Sequence, residues 1–134
     1  MSRFPTAGHL ASWAGVGPGS NESAGRVKST RTRPGNAYLK DALGIAALSA
    51  SRSHDTSYAA KYRWIVSRRG PVKAVVAIEH AMLITVCNML QTRETFNEPG
   101  GDFYSKRNPE KAKRRVVDQL RNLGYTVTLE PTAA

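Results

Sequence analysis

The amino-acid sequence predicts a mainly α-helical fold, with about five helices in one compact domain that spans residues 1–134. Five segments place apolar residues at helical spacing and carry recognisable capping residues at their ends. Only residues 125–131, YTVTLEP, alternate as a strand does, and a single strand cannot form a sheet, so we expect a short extended C-terminal tail there. A chain of 134 residues that is 40% hydrophobic is long enough to bury one modest core.

The first two helices are predicted on either side of a long loop. Helix 1 runs from about Thr6 to Ala14 and ends at a run of glycine and proline. Helix 2 follows Asn36, which is a good N-cap residue, and continues to about Ser53. Its apolar stripe is rich in alanine, so a neighbouring helix can approach it closely.

The next two helices hold most of the predicted core. Helix 3 begins at Asp55 or Thr56 and reaches about Arg69. Helix 4 extends from Val72 to about Arg93 and is apolar on nearly every side. We therefore expect helix 4 to be the central, buried helix.

Helix 5 is predicted from Asn108 and Pro109 to a glycine C-cap at Gly124. Its sequence KAKRR, residues 111–115, covers an outer face. The face expected to pack inward consists of Val116, Val117, Leu120 and Leu123.

Two loops interrupt these helices. The first, residues 17–35, is rich in glycine, serine and arginine and lies between helices 1 and 2, with four basic residues and one acidic residue. The second covers residues 94–107. Loops of this length without structure of their own are uncommon in compact domains and are often functional.

The charge of the chain indicates its class of partner. Lys and Arg number 20 against 10 Asp and Glu, which gives a formal net charge of +10. Such an excess most commonly indicates nucleic acid, ahead of an anionic membrane surface. Because the chain has one cysteine, no signal-peptide core and only an interrupted apolar stretch at residues 74–90, we expect a cytoplasmic protein with no membrane partner.

Ser23 is the candidate catalytic residue of the first loop. It lies in the sequence NESAG, where small neighbours leave its hydroxyl accessible. A serine must be activated to act as a nucleophile, and attack on a phosphodiester needs cations that meet the charge on the phosphoryl oxygens. The residues alone leave two interpretations open, a nucleophile or a hydrogen-bond donor that grips phosphate.

Basic residues on the loop and the helices are predicted to contact the nucleic-acid backbone. In helix 3 they alternate with Tyr62 and Trp64, a pattern that favours either base stacking or ordinary core packing. The predicted contact residues are Arg26, Lys28, Arg31, Arg33, Asn36, Lys40, Arg63, Arg68, Arg69, Lys111, Arg114 and Arg115.

No metal site is predicted within this chain. The three histidines share no metal-ligand spacing, and the ten acidic residues form no two-metal nuclease cluster. Glu79 and His80, on helix 4, are expected to be a partnered buried pair.

Three segments together resemble one family of enzymes. They are FPTAGHLASWAG at residues 4–15, PGSNESAG at 18–25 and RPGNAYLK at 33–40, and the likeness continues through residues 100–131. This combination resembles the C-terminal domain of the IS110/IS116/IS902 family of insertion-sequence transposases.

The resemblance implies a bacterial recombinase of a mobile element that acts on double-stranded DNA and is guided by a structured RNA. It implies that Ser23, or less favourably Ser20, is the nucleophile that joins DNA covalently. It also implies a separate N-terminal RuvC-like domain whose acidic residues bind a divalent metal such as Mg²⁺. That domain is absent from this sequence, so we expect the chain to be inactive alone and to act as a homo-oligomer or with full-length transposase.

Two alternatives remain at this stage. In the first, the chain is a non-enzymatic nucleic-acid-binding module. In the second, it is a truncated remnant that associates with intact transposase and modulates it.

Overall fold

The structure is a computed structural model that describes residues 3–19 and 21–131. They form six helices and two short strands. In chain order the elements are α1 (Ala7–Trp13), β1 (Asn21–Ser23), β2 (Arg26–Ser29), α2 (Ala37–Arg52), α3 (Ser57–Arg69), α4 (Pro71–Thr92), α5 (Phe103–Arg107) and α6 (Pro109–Asn122). The predicted mainly α fold is confirmed, with one helix more than expected because α5 forms inside the predicted second loop.

Local capping residues set the ends of the helices as predicted. The side chains of Thr6, Asn36, Thr56 and Asn108 each accept a hydrogen bond from the backbone N–H three residues later. At the other end of α6, Gly124 adopts the left-handed conformation, with φ of 90°.

The core lies where α1, α2 and α3 pack against α4. Its largest buried cluster consists of Leu10, Ala11, Ala14, Val16, Leu43, Leu83 and Cys87. The helix α4 is central as predicted but is only partly buried, since Val72, Val86 and Leu90 are exposed. The three neighbouring helices cover only part of its circumference.

Among the described helices, α4 alone is long and apolar enough to cross a membrane by length and composition. The core helix of a soluble protein passes the same test. Its buried Leu83 and Cys87 pack with Leu10 and Leu43 of the neighbouring helices, as the residues of a core helix do.

The helix α6 departs most from the prediction. Among the described elements it packs only against α5, and none of its residues is buried. The residues expected to face the core are largely exposed, with 55% of Val116 and 73% of Leu123 accessible. The predicted burial of this stripe is wrong, because helical periodicity identifies an apolar face but not the element that covers it.

The second loop is tied to the start of α3 and so places α5 beside that helix. One carboxylate oxygen of Glu98 accepts hydrogen bonds from the backbone N–H groups of Ser57, at 2.8 Å, and Gly100, at 3.1 Å. The rings of Tyr58 and Phe96 also lie 5.7 Å apart. Burial raises the pKa of the Glu98 carboxyl, but these hydrogen bonds outweigh burial and hold the pKa below its usual value.

Candidate nucleic-acid interface

Ser23 lies at the tip of a β-hairpin. Strands β1 and β2 are antiparallel, and Ser23 pairs with Arg26 across a two-residue turn. Both turn residues have positive φ, 51° at Ala24 and 73° at Gly25, as a type I′ turn requires. The predicted irregular loop is corrected here, because an Ala–Gly turn between short polar strands gives little periodic signal.

Close backbone contacts fasten the base of this loop, residues 17–35, which we call the serine hairpin. A Cβ atom on Gly35 would collide with the backbone of Ala14, and one on Gly19 would collide with the carbonyl of Arg31. Gly15 adds a left-handed turn, with φ of 75°. The two limbs of the serine hairpin therefore run against each other and against the end of α1 without room for side chains.

The tip of the serine hairpin is accessible from solvent. Ser23 is exposed, and its hydroxyl makes no hydrogen bond with any other residue that the structure describes. Glu22 precedes it, but neighbouring side chains in a strand point to opposite faces. Four exposed basic side chains share this hairpin: Arg26, Lys28, Arg31 and Arg33. Ser20, the less favoured nucleophile, lies outside the described residues.

Asn36 and Lys40, also predicted as contact residues, lie at the start of α2. The side chain of Asn36 is occupied as an N-cap, 2.9 Å from the backbone nitrogen of Leu39. Lys40 is partly buried near Glu79. Burial raises the pKa of the Glu79 carboxyl, and the charge of Lys40 opposes that rise.

Glu79 and His80 do not form the partnered pair that the sequence predicted. Glu79 is buried, and neither its Oε2 atom nor Nδ1 of His80 has a hydrogen-bond partner among the described residues. Adjacent residues on a helix do not face each other, which explains the failure. Burial lowers the pKa of His80, and the nearby charge of Lys61 lowers it further.

A second group of predicted residues lines a groove between α3 on one side and α5 and α6 on the other. The groove has a volume of about 1010 Å³, and we call it the basic groove. Its basic lining residues are Arg63, Arg68, Arg107, Lys111, Arg114 and Arg115, and its one acidic lining residue is Asp118. Arg107 was not predicted, because nothing in the sequence places the second loop beside α3. Arg69 is exposed at the end of α3 and does not line the groove.

Nine of the twelve predicted contact residues thus fall on two surfaces, the serine hairpin and the basic groove, while Asn36, Lys40 and Arg69 lie outside both. Among the described elements, β1 and β2 contact each other and no helix. The described residues also contain no group of three or more His, Cys, Asp or Glu side chains that could hold a metal ion. A metal-binding domain outside this chain stays a prediction.

Comparison with known families bears on the serine hairpin directly. Residues 1–63 match the model of the IS116/IS110/IS902 transposase family. The match covers 63 of the 134 residues, slightly less than half of the chain. No curated protein and no solved structure matches it.

The matched part of the chain contains α1, the serine hairpin and α2, and it ends within α3 at Arg63. Of the basic residues that line the groove, only Arg63 lies inside the matched part.

Proposed function

We propose that this chain is the DNA-binding domain of a transposase and that Ser23 is the nucleophile that becomes joined to DNA. One observation carries the proposal: Ser23 occupies the exposed tip of a braced, basic hairpin inside the part of the chain that matches the family. A hairpin with a closed base can present a hydroxyl in a fixed direction, which catalysis by positioning requires.

The proposed step is a phosphoryl transfer. The Oγ atom of Ser23 attacks a DNA phosphorus, a serine–phosphate ester forms, and the bond from phosphorus to the leaving deoxyribose oxygen breaks. The serine proton is lost to a base, and the leaving oxygen gains a proton. The guanidinium groups of Arg26, Arg31 and Arg33 would stabilise the charge on the phosphoryl oxygens.

The base for this step is not found beside Ser23 in the described part of the chain. We therefore propose that it comes from a second domain or from a partner subunit, and that the chain alone is inactive. The described residues do not fit a divalent metal, so Mg²⁺ would be held outside this chain.

We also propose double-stranded DNA and a structured guide RNA as the partners, self-association or assembly with full-length transposase, and the cytoplasm of a bacterium as the location. The net charge of +10 supports the nucleic-acid partners, since cationic surfaces bind phosphate by releasing counterions.

Formation of a covalent protein–DNA adduct tests the nucleophile. The chain would be fused to a RuvC-like domain of the same family and incubated with end-labelled DNA, and adducts would be resolved on a denaturing gel. Ser23→Ala should abolish the adduct, while Ser29→Ala, a control in the same hairpin, should retain it. Peptide mapping should place the phosphoester at residue 23.

A non-enzymatic binding module is the second candidate, and the lack of a described hydrogen-bond partner for the Ser23 hydroxyl favours it. In that case Ser23→Ala would leave DNA joining unchanged and would weaken only binding. A third candidate, a remnant that modulates intact transposase, predicts co-purification with a full-length copy, and failure to associate would exclude it.

A further inference from the structure

The basic groove holds aromatic side chains as well as cations. Trp64 of α3 and Tyr104 of α5 both line it, with 44% and 40% of their surfaces accessible. What distinguishes these two rings is their place among cations, since a ligand with negative charge and planar faces could use both features of the groove.

The two rings are held in place by their neighbours. The guanidinium carbon of Arg68 lies 4.7 Å from the centroid of the Trp64 ring, which makes a flat cationic platform on α3. Tyr104 packs edge-to-face against Phe103, with ring centroids 5.2 Å apart. The rings therefore need little ordering when a planar group stacks on them.

The long-range contacts of the second loop give the groove its shape. Glu98 binds the backbone of Ser57, at the start of α3, and a Cβ atom on Gly101 would lie only 2.7 Å from Oδ1 of Asp55. These contacts keep α5 beside α3, and α6 forms the rest of the second wall through its packing against α5.

We propose that the basic groove is a second nucleic-acid site, which binds an unpaired strand with its bases stacked on the Trp64–Arg68 platform and on Tyr104. Six cations against one acid match the phosphates of a strand. The exposed rings match bases that are free of a duplex, because paired bases keep their faces stacked on each other. The inference extends the proposed function but depends on different residues from the serine hairpin.

The unpaired strand can be RNA or DNA, since both supply phosphates and base faces. A guide RNA offers unpaired segments, and DNA offers them when its strands separate. The two sources differ at the 2′-hydroxyl, so matched RNA and DNA oligonucleotides separate them.

Fluorescence of Trp64 tests the proposal on the whole chain. The chain has two tryptophans, so a Trp13→Phe variant leaves Trp64 as the only one. This variant would be titrated with oligo(dU), oligo(U) and a DNA duplex of equal length. A single strand should quench the fluorescence of Trp64, and it should compete for the groove more strongly than the duplex does. The single strand that binds with the higher affinity identifies the sugar that the groove prefers.

Substitutions then separate stacking from charge. Trp64→Ala and Tyr104→Ala should each weaken single-strand binding between about fivefold and a hundredfold, whereas Trp64→Phe should keep most of it. Arg107→Gln should reduce the magnitude of the slope of log affinity against log salt by about 0.7. Arg52 is an exposed basic residue outside the groove, so Arg52→Gln should leave this slope unchanged. Circular dichroism must show the same helical melting for every variant compared.

The outcomes also separate this inference from the proposed function. If duplex DNA binds and Arg26→Gln or Arg33→Gln weakens it, while groove variants change no affinity, the proposed function stands and the groove proposal fails. Absence of quenching, or equal competition by the duplex, overturns the groove proposal in the same way. If the chain binds neither single strands nor duplex, both fail.

Discussion

The closed base of the serine hairpin makes Gly35 the position most sensitive to a single added methyl group. In Gly35→Ala, the new Cβ atom would overlap the backbone carbonyl group of Ala14 and the nitrogen of Gly15, well inside van der Waals contact. Backbone atoms cannot rotate away as a side chain can, so the limb that carries Gly35 must move by about 1 Å to restore ordinary contact. Overpacking of this kind costs about 1–3 kcal/mol of unfolding free energy.

Thermal unfolding followed by circular dichroism measures this loss. For a chain of this size, about 1 kcal/mol changes Tm by about 3–5 °C, so Gly35→Ala should melt about 3–15 °C lower. Affinity for duplex DNA should fall as well, because the cations of the serine hairpin lose their common scaffold. The falls in Tm and in affinity should appear together.

Gly8→Ala is the matched control. A Cβ atom on Gly8 would lie 3.6 Å from Oγ1 of Thr6, an ordinary contact, and alanine is favoured over glycine inside a helix by about 0.5–1 kcal/mol. Its Tm should therefore stay the same or rise slightly. If the Tm of Gly35→Ala equals that of the unmodified protein, the serine hairpin is not closed by these backbone contacts and our account of its geometry is wrong.

Three further perturbations test single residues. Asn36→Ala should cost about 1 kcal/mol by removing the N-cap of α2, and Asn36→Asp should restore stability but weaken duplex binding in a fluorescence titration, since a carboxylate repels phosphate. Urea unfolding should show that Glu79→Gln stabilises the fold on the order of 1 kcal/mol at pH 7 and very little at pH 4. The pKa of Glu79 is raised in the folded state, so its ionised form destabilises the fold once the pH exceeds the pKa of about 4.3 that a glutamate has in the unfolded chain. Glu98→Gln should act oppositely. Because the pKa of Glu98 is lowered in the folded state, its ionised carboxylate stabilises the fold above about pH 4.3, and this stabilisation is lost as pH falls through the folded pKa. The variant should therefore be less stable than the unmodified protein at pH 7, by under about 1 kcal/mol, and equally stable in strong acid.

Local signals in the sequence predicted the helices well. The caps at Asn36, Asn108 and Gly124 depend on a few neighbouring residues, and each appears in the structure as predicted. The hairpin around Ser23 was missed, because strands of three and four residues are too short for alternation to show and Ala24 rarely takes positive φ.

Information about distant partners was not available from the sequence. The apolar face of α6 is visible in its periodicity, yet only the structure shows that no described helix of the core covers it. The basic groove likewise depends on the contact of Glu98 with Ser57, 41 residues apart, which brings Arg107 and Tyr104 to α3. Sequence periodicity gives the chemistry of each face but not which faces meet.

The distribution of charge links the two proposed surfaces to function more strongly than the total charge does. The serine hairpin and the basic groove together hold ten of the 20 basic residues and only two of the ten acidic residues, Glu22 and Asp118. They therefore carry eight of the ten net positive charges, and the rest of the chain is close to neutral. Concentrated like charges repel each other and weaken a fold, so stability alone does not favour this arrangement. A polyanion that binds both surfaces would relieve the repulsion at each, and its binding should then raise the Tm of the protein in low salt more than in high salt.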